Sequence, residues 1–112
     1  MLRKAERLTV SDIEGLSAGK SVFGTLISMR YKPALKTKVS VTVSKKVAAS
    51  AVDRNRIRRR TYAAVEKVLG NMKNPAYAML MPKKEFLTAP FDTVCAEIES
   101  IFKKAGLILL SL

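Results

Sequence analysis

The sequence contains no histidine and only one cysteine in 112 residues. Histidine is the most common general base near neutral pH and the most common metal ligand, so its absence argues against catalysis by the chain's own side chains. A single cysteine excludes a disulfide within the chain and a cysteine-rich zinc or iron–sulfur site. We therefore predict no catalytic residue and no metal ion bound by the protein.

Long apolar runs are also missing. No stretch approaches the roughly 18 to 20 apolar residues that cross a bilayer, and residues 1–10 lack the apolar segment of a secretory signal. The sequence also has no internal repeat, no low-complexity tract and no Pro/Gly/Ser-rich linker. These absences predict a cytoplasmic protein without membrane association, folded as one domain over residues 1–112.

Positive charge is what the sequence has in excess. Lysine and arginine number 21 against 9 acidic residues, which gives a net charge of +12, while 48% of the residues are apolar. A chain of this length and apolar content can bury a core of ordinary size without disulfides or zinc. Its charge predicts a polyanionic partner.

The excess charge is concentrated in one segment. Residues 1–44 carry a net charge of +5, residues 45–60 carry +6 and residues 61–112 carry +1. The middle segment, KKVAASAVDRNRIRRR, contains seven basic residues and one acidic residue. A basic patch of this density indicates a binding face for nucleic acid.

The first part of the chain predicts a helix and then a strand. Residues 9–16 place Ser11 three residues before Glu14, which is typical of a short capped helix. Residues 22–31 alternate in the manner of a single strand. The side chains that share one parity in this strand are Phe23, Ile27, Met29 and Tyr31.

The middle of the chain predicts a strand and a long helix. Valines alternate with hydroxyl-bearing residues over residues 38–44, which is the pattern of a strand with one buried face. Ser50 stands three residues before Asp53, a spacing that predicts a helix running to about Leu69 and ending at Gly70.

The last part predicts a buried strand and an amphipathic helix. The run at residues 76–81 is apolar and short, so the preceding helix becomes the crossover of a β-α-β unit. A helix follows over residues 89–105, with Thr88 as its cap and Pro90 in its first turn. The apolar tail, residues 107–112, is either a short strand or a packed end. Together these elements predict an α+β fold, a small sheet covered by helices.

The long predicted helix has an apolar stripe and a basic side. At about 100° per residue, the stripe consists of Ile57, Thr61, Ala64, Val65 and Val68. The positions opposite the stripe or beside it are Arg54, Asn55, Arg56, Arg58, Arg59, Arg60, Tyr62 and Glu66. Arginine's planar donors suit phosphate, and the amino terminus of a helix favours anions. The basic side, with Lys45 and Lys46 just before it, therefore predicts a phosphate-binding surface.

The stretch VSVTVSKKVAASAVDRNRIRRR resembles the signature region of the bacterial ribonuclease P protein component. Ser44-Lys45-Lys46 is followed, after seven intervening residues, by Arg54-Asn55-Arg56-Ile57-Arg58-Arg59. The order of predicted elements between about residues 7 and 107 is similar as well.

The resemblance implies a two-layer α/β sandwich in the order α-β-β-β-α-β-α, with a left-handed β-α-β crossover around the arginine helix. It also implies a protein subunit of ribonuclease P, whose catalytic RNA removes the 5′ leader of precursor tRNA in a Mg²⁺-dependent hydrolysis. The endonuclease activity would belong to the holoenzyme, and Mg²⁺ would be bound mainly by the RNA. The implied partners are the catalytic RNA and precursor tRNA, without an obligate protein partner.

The resemblance further implies two RNA-binding regions. The residues that would contact the catalytic RNA are Lys45, Lys46, Arg54, Asn55, Arg56, Arg58, Arg59 and Arg60. A cleft between the sheet and the first helix would hold the leader, and its candidate residues are Phe23, Ile27, Met29 and Tyr31. Aromatic residues that the family commonly places on the first helix are absent here, where Ile13, Leu16 and Ser17 stand. Phe23 and Tyr31 could stack on bases instead, or could simply pack in the core or at its rim.

Two alternative functions remain open at this point. A ribosomal or other structural RNA-binding protein of similar fold would also present a basic helix. A protein nuclease would need clustered carboxylates, and Glu97 and Glu99, two apart on a helix, face different directions. Cys95 lies on the apolar stripe of its predicted helix and is expected to be a small core residue.

Overall fold

The computed structural model describes residues 19–108. Its elements in chain order are β1 (Lys20–Phe23), β2 (Ile27–Pro33), β3 (Lys38–Val41), α1 (Ala51–Leu69), β4 (Ala76–Pro82), a 3-10 helix (Lys84–Leu87) and α2 (Phe91–Lys104). The four strands form one mixed sheet in the order β1-β2-β4-β3. The predicted helix at residues 9–16 and residues 109–112 of the tail lie outside the described residues.

The segment predicted as one strand, residues 22–31, belongs to a hairpin. β1 and β2 pair antiparallel, and the Gly24 N–H donates to the Ile27 carbonyl over 2.7 Å in the turn between them. A Cβ on Gly24 would lie 2.9 Å from the same carbonyl oxygen, so the turn requires glycine. The single-strand prediction is wrong because alternation reports the period of the side chains and does not report where a strand reverses.

β3 and β4 are parallel neighbours, and α1 connects them. α1 begins after Ser50, whose hydroxyl oxygen accepts a hydrogen bond from the Asp53 N–H over 3.4 Å. This cap and the crossover are both as predicted. β3 ends at Val41, earlier than the predicted end at residue 44.

α2 begins at Phe91 and has Pro90 at its N-cap position, without a side-chain hydrogen bond to the cap. The predicted cap by Thr88 is wrong. Thr88 instead follows the short 3-10 helix, and its N–H donates to the Glu85 carbonyl over 3.2 Å. The apolar residues of the 3-10 helix are too few to show a period, so the sequence pattern does not predict this element.

The carboxyl end of α2 is closed by Gly106, whose φ is +75°. The Gly106 N–H donates to the Lys103 carbonyl and the Leu107 N–H donates to the Phe102 carbonyl, each over 3.0 Å. These two bonds form the Schellman motif, which places the residue after the C-cap in the left-handed region. The Asn74 side chain then donates to the Gly106 carbonyl over 2.7 Å and joins this end to the α1–β4 connection.

The core lies between one face of the sheet and the two helices. Its largest fully buried side chains are Phe86, Phe102, Ile27, Met29, Ile57, Leu80, Ile98, Ile101, Val39, Val65 and Val94. The predicted apolar stripe of α1 is buried over its whole length. The described residues therefore confirm the α+β, two-layer class. The handedness of the crossover stays a prediction.

Candidate nucleic-acid interface

The residues predicted to bind the catalytic RNA, apart from Arg60, lie in the first half of α1 and in the turn before it. We call this set the arginine face; its members are Lys45, Lys46, Arg54, Asn55, Arg56, Arg58 and Arg59. Both lysines are exposed, as are Asn55, Arg56 and Arg59, while Arg54 and Arg58 are half-buried. The fold thus brings two sequence-adjacent groups of cations onto one part of the molecule.

Within the described residues, the cations of the arginine face form no ion pair with a carboxylate. Among residues 19–108, no acidic side chain forms an ion pair with an arginine of α1. The ion pair found in this part of the chain joins Lys103 to Glu99 on α2, with 2.8 Å between Nζ and Oε1. Like charges three or four positions apart on a helix repel one another and destabilise the helix. A polyanion bound to this surface would reduce that repulsion.

Two arginines of the face donate hydrogen bonds to nearby residues. Arg54 Nη1 donates to the Ala48 carbonyl over 3.0 Å and to the Ala49 carbonyl over 2.8 Å, which fastens the preceding turn to α1. Arg58 Nη1 donates to Asn55 Oδ1 over 2.6 Å. A guanidinium has five N–H donors, so both side chains retain donors for a phosphate.

Arg60 has a structural role that the sequence pattern does not predict. Its Nε donates to the Phe86 carbonyl over 2.9 Å, and its Nη2 donates to the Ala89 carbonyl. Both acceptors belong to the segment that follows β4, so Arg60 joins α1 to this segment. The helical angle groups Arg60 with the residues predicted to bind RNA, but it cannot show which element packs beside Arg60.

Tyr62 is buried, with 7% of its surface exposed, although its angular position places it opposite the apolar stripe. Its hydroxyl oxygen accepts a hydrogen bond from the Val41 N–H of β3 over 3.2 Å. β3 is an edge strand, and this bond satisfies one of its donors. The prediction is wrong because an aromatic side chain is long enough to reach from the flank of a helix into the core.

Two further exposed lysines, Lys83 and Lys84, follow β4 directly. Because β3 and β4 are parallel, their carboxyl ends meet at the same edge of the sheet, where Lys45 and Lys46 also follow β3. Lys83 Nζ donates to the Thr25 carbonyl over 3.2 Å in the β1–β2 turn. The sequence pattern misses both residues because they lie in the nearly neutral last segment of the chain, residues 61–112.

The four candidate leader residues do not share one surface. Ile27 and Met29 are fully buried in the core, with no exposed area, and therefore offer no surface to an RNA strand. Phe23 pairs with Ser28, which places it on the opposite face of the sheet from Met29, and 76% of its surface is exposed. Tyr31 is half-buried on the core side. The predicted common face of Phe23 and Met29 is wrong because the chain reverses between them.

The sheet face that carries Phe23 is the outer sheet face, and cross-strand pairing arranges its side chains in rows. Its members are Ser21, Phe23, Ser28, Arg30, Lys32, Lys38, Ser40, Tyr77, Met79 and Met81. One row consists of Lys32, Tyr77 and Lys38, with both lysine Nζ atoms 5.7 Å from the centre of the tyrosine ring.

Arg30 lies in the next row of the outer sheet face, between Ser21 and Met79. Its Nε is buried and has no hydrogen-bond partner among residues 19–108. The sequence pattern misses Arg30 and Tyr77. Both residues alternate with the buried residues of β2 and β4, so correct strand boundaries would have placed them together on the outer sheet face.

The remaining candidates have structural surroundings. Cys95 is half-buried against the core, and Glu97 accepts a hydrogen bond from the Leu26 N–H over 3.4 Å. Between residues 19 and 108, no three side chains of the histidine, cysteine, aspartate or glutamate types come together as a metal site. No helix in the same range has the length and apolarity that crossing a bilayer requires.

Comparison with known sequences identifies similar proteins. A sequence model of the Ribonuclease P family matches residues 2–106. The chain is 31% identical over 94 residues to the ribonuclease P protein components of Thermus oshimai and Thermus aquaticus. These alignments cover 83% of this chain, 59% of the T. oshimai protein and 55% of the T. aquaticus protein. The chain therefore spans little more than half the length of these relatives.

The fold is similar to that of solved ribonuclease P proteins. The Staphylococcus aureus protein superposes with a TM-score of 0.81 at 18% identity, over 95% of this chain and 100% of that one. The Thermotoga maritima protein superposes with a TM-score of 0.78 at 20% identity, over 88% of this chain and 96% of that one. At such identities the similarity concerns the fold.

Proposed function

The chain belongs to the ribonuclease P protein family, and from this premise we propose that it is the protein subunit of a bacterial ribonuclease P. The observation that carries the proposal is the arginine face, a dense group of cations without carboxylate partners among residues 19–108. Such a surface suits a folded RNA, whose phosphates would neutralise the repulsion among the arginines.

In this proposal the catalytic RNA carries out the hydrolysis that removes the 5′ leader of precursor tRNA, and Mg²⁺ is bound mainly by that RNA. The chain contributes by binding and positioning. Arg54, Arg56, Arg58 and Arg59 would contact phosphates through planar pairs of donors, and Lys45 and Lys46 would act as point charges beside them. The holoenzyme would work in the cytoplasm.

We place the single-stranded leader on the outer sheet face. Phe23 and Tyr77 supply aromatic rings at its two ends, and Arg30 and Lys32 supply positive charge between them. From a strand spacing of about 4.8 Å and a rise of about 3.4 Å per residue, the Cα atoms of Phe23 and Tyr77 lie roughly 17 Å apart. A single strand of a few nucleotides could bridge that distance with its bases on the aromatic rings and its phosphates near the cations.

The proposal is tested by reconstituting precursor-tRNA cleavage with a bacterial ribonuclease P RNA at low Mg²⁺ concentration. Addition of the chain should restore cleavage under conditions in which the RNA alone is inactive, because cations on the protein would neutralise phosphates that otherwise need Mg²⁺. The double variant Arg56→Ala/Arg59→Ala, compared at the same concentration, should restore much less cleavage than the wild-type chain. Precursors with long and short leaders separate the leader contact from the contact with the catalytic RNA.

The other outcomes identify the alternatives. If the chain selects ribosomal RNA over ribonuclease P RNA and does not stimulate cleavage, it is a structural RNA-binding protein. If the chain cleaves precursor tRNA without any RNA subunit, it is itself the nuclease. Either result contradicts the proposal.

A further inference from the structure

A shallow groove separates α1 from the end of the 3-10 helix and the residue that follows it. It is lined by Arg56, Arg59 and Arg60 on α1 and by Leu87 and Thr88 on the opposite side, and its volume is about 480 Å³. This volume falls within the roughly 300–1,000 Å³ of small-molecule sites. All the described residues that line the groove are basic, apolar or hydroxyl-bearing.

The two sides of the groove are held at a fixed separation by Arg60. Its guanidinium donates to the carbonyls of Phe86 and Ala89, and Leu87 and Thr88 are the two residues between these acceptors. Phe86 is fully buried and Leu87 packs against the core. The side of the groove that carries Leu87 is therefore anchored to the core and preorganised for a ligand.

The mouth of the groove carries two uncommitted cations. Arg56 and Arg59 are exposed, and within residues 19–108 neither guanidinium takes part in a hydrogen bond or an ion pair. They lie three positions apart on α1, so they are neighbours on the helix surface. Their positive charge is complementary to a phosphate, and the plane of a guanidinium can also stack on a base.

We propose that this groove binds a single nucleotide of the RNA partner, turned out of its helical stack. Its phosphate would lie between Arg56 and Arg59, its base would pack between the Arg59 guanidinium and the Leu87 side chain, and the Thr88 hydroxyl would lie beside the sugar or the base edge. The identification of the partner as RNA rests on the proposed function, whereas the fit of a nucleotide rests on the groove itself.

The groove is tested with free nucleotides and the full chain, followed by the NMR amide shifts of Leu87 and Thr88. Guanosine 5′-monophosphate should shift both amides saturably. Ribose 5-phosphate, which lacks the base, should bind about fivefold more weakly or worse, since a stacked base contributes substantially to affinity. Equal binding of the two ligands, or no saturable shift of these amides, would overturn the proposal.

Two variants test the base contact separately from the charge. Arg59→Lys keeps the cation and removes the planar surface, so it should bind inorganic phosphate as the wild type does and lose the preference for the nucleotide. Thr88→Tyr places a large side chain in the groove at an exposed position. It should abolish the shift of the Leu87 amide that guanosine 5′-monophosphate causes. Ser100→Tyr, at an exposed position on α2 outside the groove, is the control for a bulky substitution.

The RNA partner gives a second readout. Thr88→Tyr should weaken binding to a ribonuclease P RNA about fivefold while leaving the salt dependence of the affinity unchanged, because it removes a stacking contact and no cation. Wild-type affinity of this variant would contradict the proposal. If the RNA does not bind at all but free nucleotides do, the proposed function fails and the groove stands. If the RNA binds but free nucleotides do not, the groove proposal fails and the proposed function stands.

Discussion

At the scale of single residues, the arginines of α1 have different surroundings although they follow one another in the sequence. Arg56 and Arg59 are exposed, and their guanidinium groups form no hydrogen bond or ion pair with the described residues. Arg54 fastens the turn before the helix, and Arg60 bridges to the segment after β4. Because a guanidinium has five donors, one arginine can hold a backbone carbonyl and still contact a phosphate.

This difference leads to a prediction for Arg54→Ala and Arg56→Ala. Both variants should weaken binding to the catalytic RNA at matched salt, because each removes a cation from the arginine face. Only Arg54→Ala should also lower the free energy of unfolding, by about 0.5–1.5 kcal/mol, because it removes hydrogen bonds to the Ala48 and Ala49 carbonyls. Urea unfolding measures the stability, and filter binding measures the affinity. Equal stability losses in the two variants would contradict the structural role of Arg54.

At the scale of elements, the ends of the helices show which local signals are reliable. Ser50 caps α1 as its spacing from Asp53 predicts, because that signal depends only on neighbouring residues. Thr88 has the right residue type for a cap but stands in the turn after the 3-10 helix. The segment before α2 is held instead by the buried Phe86 side chain and by hydrogen bonds from Arg60, which belongs to another element.

Two glycines at helix ends make a matched pair for a prediction of stability. A Cβ added to Gly70 or to Gly106 would meet nothing within 4 Å, but Gly70 has a φ of −66° whereas Gly106 has a φ of +75°. Gly106→Ala should therefore destabilise the fold by about 1–2 kcal/mol, the cost of a left-handed residue with a side chain. Gly70→Ala should be neutral or stabilise it by about 0.4–1 kcal/mol. Thermal and urea unfolding of both variants measure the difference. Similar losses of stability in the two variants would show that the positive φ of Gly106 is not the cause.

At the scale of the whole molecule, the sheet and helices bring separate basic segments together. The parallel pairing of β3 and β4 places the cations after each strand at one edge of the sheet, next to the start of α1. The outer sheet face carries a second group of cations and aromatic rings. The basic residues between positions 19 and 108 are therefore distributed over two surfaces that could contact two parts of an RNA assembly.

The salt dependence of RNA binding follows from this arrangement. If the six cations of the arginine face each neutralise a phosphate, the slope of log K against log salt should be about −4 to −5, from about 0.7–0.9 per contact. Arg56→Ala should reduce the magnitude of the slope by one contact. Arg60→Met should leave the slope unchanged and lower stability, because its donors serve backbone carbonyls. A change of slope in the Arg60 variant would show that this side chain also binds phosphate.

Local patterns in the sequence were sufficient for the class of fold and for the grouping of the cations to which we assign RNA binding. The capped helix, the β3-α1-β4 crossover and the buried strand β4 follow from capping residues and from hydrophobic period, which act over a few positions. The arginine face follows in the same way, because its residues are contiguous and helical geometry determines their relative directions.

Tertiary structure decided everything that depends on contact between distant segments. The reversal at Gly24 places Phe23 and Met29 on opposite sides of the sheet, Tyr62 reaches β3 from the flank of its helix, and Arg60 bonds to carbonyls of a later segment. The groove beside Leu87 exists for the same reason. Periodicity describes one element at a time, whereas the neighbour that a side chain meets depends on how the elements pack together.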